Sequence, residues 1–343
     1  MTRDQRVVFT HGESEYTARD VMDWGFIRGE IEPLWRESLR TAACERQARA
    51  QGLDAEMSFV NEASIAFRYD HDLITAEETE RWLHDRCLSL EDFGQYFTRQ
   101  FWGRSCPGGV ADAAADFPSA SAEEKERFLA DLTLAGELDQ LAERLSWRVA
   151  ARAESGAEEA PAAELDPAWS EPFRQLGRGA AWEEEVRAGE AAYQEHVASF
   201  VTEKDLGREL VSLRLMLTRF RVEIVEVQSR DAAAEVLACV RSDGITMAEV
   251  AEESRYPFRQ QECLLEDLPQ EQQQRFLSVK AGALLDPIAR GDSFEVWRVI
   301  ERIEPSLQDA AVRQRIEHRL VARHFEELVG KFITWRLLQN ANK

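Results

Sequence analysis

The sequence is poor in several things, and each shortage excludes something. Its longest apolar runs fall well below the ~20 residues that a membrane-crossing helix needs, so no spanning segment is expected. The opening residues, MTRDQRVVFTHGESEY, hold no apolar core of a secretory signal. Positive charge is in deficit. The 343 residues carry 42 Lys and Arg against 64 Asp and Glu, a formal charge of −22. Such a surface repels polyphosphate, which argues against nucleic acid, and it tolerates or attracts neutral and basic peptides. The five cysteines, Cys44, Cys87, Cys106, Cys239 and Cys263, are dispersed and odd in number. They show neither a CxxC pair nor a disulfide framework, so a reducing cytosol is the expected compartment.

Catalytic signatures are equally scarce. There is no GxSxG and no P-loop, and the one GxG stretch, Gly177-Arg178-Gly179, lacks a third glycine and a preceding strand. His84 and Cys87 could share one helical face, but a zinc site needs four ligands and no second pair is evident. No metal and no cofactor are expected. The many carboxylates form no distinctive pair and read as solvated helix faces.

What is present is a folded chain: 44% of residues are hydrophobic and nine are Trp. A short strand at Arg6–Phe9 and a turn at His11–Glu13 precede Thr17, which caps a helix. Helices are expected over 31–51 and near 57–67. Thr75, Ser121 and Thr246 each open a further helix with Glu three residues on, a reciprocal capping signature, and Ser89 opens another helix. A helix over 121–152, a mobile Ala/Glu/Pro-rich linker at 153–172 and a long helix from 182 to about 217 follow. The period then changes. Phe220, Val222 and Ile224 predict a strand, 231–240 a helix, 263–265 an edge strand, 270–278 a helix, Gly291-Asp292 a hairpin turn, and Phe294–Val299 the last strand. Residues 307–340 read as one long terminal helix.

The order strand–helix–helix–strand–helix–strand–strand resembles the parvulin-type peptidyl-prolyl isomerase domain. Three stretches carry the likeness: Arg219-Phe-Arg-Val-Glu-Ile-Val with Ala232-Ala-Ala-Glu-Val-Leu237; Gly244-Ile-Thr-Met-Ala-Glu-Val-Ala251; and Leu277-Ser-Val-Lys-Ala-Gly282 with Asp286-Pro-Ile288 and Ser293–Val299. The N-terminal helices and the terminal helix are similar to the chaperone part of SurA-like foldases. Among such families the parvulin-like proteins of peptide natural-product maturation are the nearest match. The fold class implied is α+β: a helical region over 1–105, an insert at 106–180, a connecting helix at 181–218, a parvulin-like domain with a four-stranded antiparallel sheet at 219–305, and a helix at 306–343 packing back on the N-terminal region.

Parvulins lower the ~18–20 kcal/mol barrier to rotation about an X–Pro bond in an apolar pocket flanked by two His and a Cys or Asp. By the resemblance the first His would stand at Glu223 or Ile224 and the second at Glu295. The pocket's Met and Phe would stand near Leu268 and Gln272. No histidine falls within 219–305, so the catalytic residue set is empty. The loop before the second strand is reduced to Arg255–Gln261. A groove for an extended peptide remains, with Glu223, Ile224, Phe258, Leu265, Leu268, Gln272, Phe294 and Glu295 as candidate contacts. For Ile224 and Phe294 plain core packing is the simpler reading. Gln272 and Glu295 stand where the family keeps functional groups. The sequence therefore predicts a non-catalytic, cytoplasmic holder of a ribosomally made precursor peptide, with modifying enzymes as further partners and a homodimer open. A working isomerase or foldase, and a general holdase chaperone, are the alternatives.

Overall fold

The computed structural model describes residues 2–106, 116–156, 169–291 and 293–336. They form two compact units: residues 1–197 with 324–343, and residues 198–323. The α+β class expected from the sequence is the one found.

The first unit is helical around a small sheet. β1 (Val7–His11) and β2 (Ser14–Thr17) form a hairpin, and Thr17 caps α1 (Ala18–Ile27) through the reciprocal bond with Asp20. α2 (Ile31–Ala50), α3 (Met57–Asp70), α4 (Ala76–Asp85), α5 (Leu90–Arg104), α6 (Ala122–Leu134) and α7 (Glu137–Ser155) follow. Thr75 and Ser121 close the boxes expected of them, and Ser89, expected only to open a helix, closes another with Asp92. Trp35 meets Phe117 and Phe128 edge-on at 5.7 and 5.1 Å, in a core fully shut from water. Beside it Phe93, Phe97, Leu83 and Leu134 form a second cluster.

The expected helix over 121–152 is two helices. Gly136, at φ +75°, takes the left-handed conformation that ends one run and starts the next. The expected linker is also shorter: α7 continues to Ser155, and α8 (Ser170–Leu176) occupies its far end. The remainder of that linker, 157–168, lies outside the described residues, as do the break after Cys106 and Asp292 of the hairpin turn.

The single helix expected from 182 to 217 is corrected to α9 (Ala180–Phe200) and α10 (Glu203–Leu213). At the break Thr202 accepts the Asp205 amide and so caps the start of the second helix. The terminal helix is likewise shorter than 307–340. α14 (Ala310–Phe332) stops, and Thr334–Trp335 becomes β7, pairing Trp335 with Phe9 and Thr334 with Thr10. The first sheet thus runs β2-β1-β7.

The cysteine reading is corrected too. Cys44 on α2 and Cys106, just past α5, form a disulfide, packed beside Ala48 and Trp102. Cys87, Cys239 and Cys263 are free. Among the described residues no helix is long and apolar enough to cross a membrane.

In the second unit, β3 (Arg219–Val227), α11 (Arg230–Ala238), α12 (Met247–Ser254), β4 (Phe258–Leu264), α13 (Gln270–Leu277), β5 (Ile288–Arg290) and β6 (Ser293–Ile303) appear in the expected order. A π-turn over 239–243 extends α11. The sheet is antiparallel with order β4-β3-β6-β5. α10 and the first part of α14 pack together through Leu206, Val312, Ile316 and Leu320.

Candidate functional site

Alternation along β3 sorts the sheet into two faces. Phe220, Val222 and Ile224 turn to one, with Trp297 and Val299 of β6, and α13 covers it through Phe276. Phe276 stands edge-on to both Phe220 and Trp297, at 5.0 and 5.8 Å. Val225, Val227 and Val296 turn to the other, under α11 and α12.

The candidate residues divide accordingly. Ile224, Leu265 and Leu268 belong to the α13 face and are buried in its core. Gln272 lies one turn before Phe276 on α13, 7% exposed, with no hydrogen-bond partner for its Oε1. Glu295 shares the face with Trp297. Glu223, Phe258 and Phe294 fall on the opposite side. Glu223 accepts from Gln260 at 3.1 Å and lies 3.8 Å from Arg298. Phe294 packs with the α11–α12 core, and Phe258, at the start of β4, stays 36% exposed. Of the two positions that the resemblance assigns to the first histidine, Ile224 faces the core under α13 and Glu223 the opposite side of the sheet.

Glu295 is the electrostatic centre. It is 4% exposed, and a carboxylate so buried must be paired. It accepts from the Arg259 guanidinium, from Arg290 Nε at 3.1 Å and from Trp297 Nε1 at 3.0 Å. Glu226 lies directly across from it on β3. Two acids in that register would repel, and Arg259 offsets this by reaching within 3.9 Å of Glu226 as well. Ser293 Oγ donates to Glu226 at 2.9 Å. Burial alone would raise the Glu295 carboxyl, yet its bonds from Arg259, Trp297 and Arg290 outweigh burial and hold it below the usual carboxylate range.

The Glu295 oxygens are spent on three donors. Cys263 Sγ, against the Phe220 carbonyl at 3.8 Å, is pushed up to about 11 by burial and by the charge of Asp267, so the thiol stays protonated at neutral pH. His84 is exposed on the last turn of α4, while Cys87 lies beyond the helix at φ +55°, so the two do not share a helical face. Among the described residues no group of three or more His, Cys, Asp and Glu is placed to hold a metal ion.

Sequence reasoning missed Arg259, Arg290, Glu226 and Trp297. A signal for them existed: an acid between Phe294 and Val296, alternating toward a buried face, must find a cation.

β4 (Phe258–Leu264) lies at an end of the strand order and is largely exposed. It pairs with β3 over its whole length, Arg219 opposite Leu264 to Val225 opposite Phe258, and forms one edge of the sheet. The expected edge strand at 263–265 is therefore seven residues long and takes in most of the stretch read as a shortened loop.

No protein-family model and no curated protein matches the chain. Among solved structures it is similar to the peptidylprolyl isomerase PrsA of Bacillus anthracis, with 13% identity, a TM-score of 0.27, and 59% of this chain and 97% of that one covered. The foldase protein PrsA of Streptococcus pneumoniae gives 10% identity and 0.27, covering 98% and 94%. That of Lactococcus lactis gives 9% and 0.28, covering 98% and 99%. At such identities and scores, the reading of the fold rests on this chain's own element order and strand order.

Proposed function

We propose that the 198–323 unit is a parvulin-like peptide-binding module without isomerase chemistry, and that the protein holds an extended peptide. The observation that carries this reading is the open edge of β4. A strand paired on one side presents a row of unpaired backbone donors and acceptors, and an incoming peptide adds to it by β-pairing. Phe258 offers an apolar contact at the end of that edge. The negative surface favours basic segments. The absence of histidine from 219–305, with Glu295 neutralised by its donors, supports binding over catalysis.

The finer proposal is that the peptide is a ribosomally made precursor held for modifying enzymes. Its test is isothermal titration of the full chain with the precursor peptide encoded nearest to it, beside a prolyl-isomerase assay on an X–Pro tetrapeptide. Micromolar binding without rate enhancement is expected. Clear isomerisation would overturn the reading in favour of an active isomerase, and equal affinity for unrelated unfolded chains would replace it with a general holdase. The compartment follows from a thiol count on protein taken from cells. Reduced Cys44 and Cys106 fit the proposed cytosol, and a bonded pair places folding where disulfides persist.

A further inference from the structure

Which backbone groups β4 leaves open is set by which of its residues already bond to β3. Two flanking bonds fix the phase. The Glu226 amide donates to the Pro257 carbonyl at 3.0 Å, and the Leu265 amide donates to the Thr218 carbonyl at 3.0 Å. Bonded and non-bonded pairs alternate along an antiparallel ladder. In the register of β3 on β4, Arg259, Gln261 and Cys263 therefore turn their backbone groups inward, to Ile224, Val222 and Phe220. Phe258, Gln260, Glu262 and Leu264 turn theirs outward, and among the described residues no hydrogen bond reaches those groups. A row of free N–H groups and carbonyls thus faces solvent, on a strand whose residues are all exposed or half-buried.

Such a row is a template for another strand, and native folds blunt it with proline or a bulge. β4 has neither: Pro257 stops just before it, and its pairing with β3 runs without a shift. Its two charges are of opposite sign and already drawn to partners in the sheet, Arg259 to Glu295 and Glu262 to Arg219 and Arg221. The sequence Phe-Arg-Gln-Gln-Glu-Cys-Leu is close to its own complement. Laid antiparallel on a second copy about Gln261, it sets Phe258 beside Leu264 and Gln260 beside Glu262, each pair occurring twice, and every outward N–H meets an outward carbonyl. On the other face Arg259 stands beside Cys263. No like charges oppose. Other registers fit worse. A slip of one residue turns the outward groups of the two copies out of phase and the side chains to opposite faces. A slip of two sets Glu262 against its own copy in one direction. In the other it sets Phe258 against Glu262 and carries Leu264 past the end of the strand.

We propose that β4 pairs with β4 of a second copy of this chain, antiparallel and centred on Gln261, so that the two sheets join into one. The occupant is a second copy because the strand matches itself on both faces in a single register. The formal charge of −22 on each copy opposes the approach, so the pair is reversible and tightens as salt screens that charge. The edge closed in this way is the one proposed to take the peptide. Self-pairing therefore withholds it at high protein concentration until a peptide displaces the second copy, and this consequence alone rests on the proposed function.

The test is oxidation of the full chain carrying Gln261→Cys or Gln260→Cys, read by non-reducing electrophoresis, beside sedimentation of the unaltered chain across a concentration series in low and high salt. In the proposed register the two copies of residue 261 oppose each other as a non-bonded pair, about 4.5 Å apart at Cα, which a disulfide spans. The two copies of residue 260 stand offset by two residues, beyond the ~7 Å limit of such a bond. Gln261→Cys should therefore crosslink about ten-fold or more faster than Gln260→Cys or the unaltered chain. Sedimentation should show a dimer that grows with concentration and with salt. Gln260→Lys, which puts a cation beside the partner's Glu262, should tighten the dimer about three-fold or more, and Gln260→Glu should loosen it as much. Equal crosslinking of the two cysteine variants, a monomer at every concentration and salt, or the same shift from Lys and Glu at position 260 would each overturn the proposal. Crosslinking at position 261 without any peptide binding would sink the proposed function and leave the self-pairing. Micromolar peptide binding by a chain that stays monomeric would do the reverse.

Discussion

Trp297 and Glu295 lie two residues apart on β6, face the same side of the sheet, and are joined by an indole N–H donating to Glu295 Oε2 at 3.0 Å. The bond makes the buried acid part of the core's own hydrogen-bonding, alongside Arg259 and Arg290.

Glu295→Ala should therefore destabilise the second unit by about 2 kcal/mol or more, since it strands the indole donor and two guanidiniums at once. Glu295→Gln, which can still accept from Trp297, should lose less. Urea unfolding of both variants checks the order. The pH dependence has a definite sign. An acid held below its ordinary value of 4.5 contributes stability that is complete above that pH and is lost as pH falls through the lower folded value. The stability difference between wild type and Glu295→Gln should therefore shrink below about pH 4.5.

Phe258 should behave in the opposite way. It is 36% exposed at a sheet edge, so Phe258→Asp should cost under about 1 kcal/mol in unfolding experiments. By the proposed function it should nonetheless weaken peptide binding about ten-fold or more in titration, because it puts a charge where the added strand would lie. Loss of stability with unchanged binding would sink the edge proposal.

Reduction should cost the helical unit far more. Cys44 and Cys106 close a loop of sequence separation 62, for which chain entropy gives a stabilisation of about 4 kcal/mol as an upper figure. Thermal unfolding with and without reductant, and in Cys44→Ser/Cys106→Ser, should show this difference. A thiol titration of the unfolded, unreduced chain should find three free thiols rather than five.

Gly189→Ala sets two effects against each other. Alanine is favoured over glycine inside a helix by about 1 kcal/mol. A Cβ at Gly189, however, would sit 2.8 Å from Trp24 Cη2, inside any real carbon–carbon contact. Overpacking of this kind costs about 1–3 kcal/mol, so the net effect should be destabilising. Adding Trp24→Phe should recover part of the loss, which a double-mutant cycle reads directly.

Most of the second unit was legible in the sequence, because its signals are local. The box at Thr246 forms as its spacing demands, as do those at Thr75 and Ser121 in the first unit, and the alternation of Phe220, Val222 and Ile224 fixes both strand and face. The misses come from long-range partners. Nothing local marks Thr334–Trp335 as a strand, for its partner is Phe9–Thr10. Cys44 and Cys106 meet only through the packing of α2 on α5. The break at Thr202 was outweighed by an apolar period that runs on through it. For the candidate site, the resemblance alone named Glu223, Ile224 and Glu295, and alternation on β3 puts Glu223 and Ile224 on opposite faces. The cations that neutralise Glu295 come from β4 and β5, beyond any reading of β6 alone.

The pairing of Phe9 with Trp335 also sets an order of events at the ribosome. The strand that completes the first sheet emerges after every element of the 198–323 unit, so that unit can fold while the first still lacks an edge. Until then, β1 offers its unpaired side to whatever is near. A chain interrupted before Thr334 would keep a well-formed second unit and a first one with its hairpin open to other strands. Loss of the last strand should therefore show itself as association between chains before it shows as unfolding.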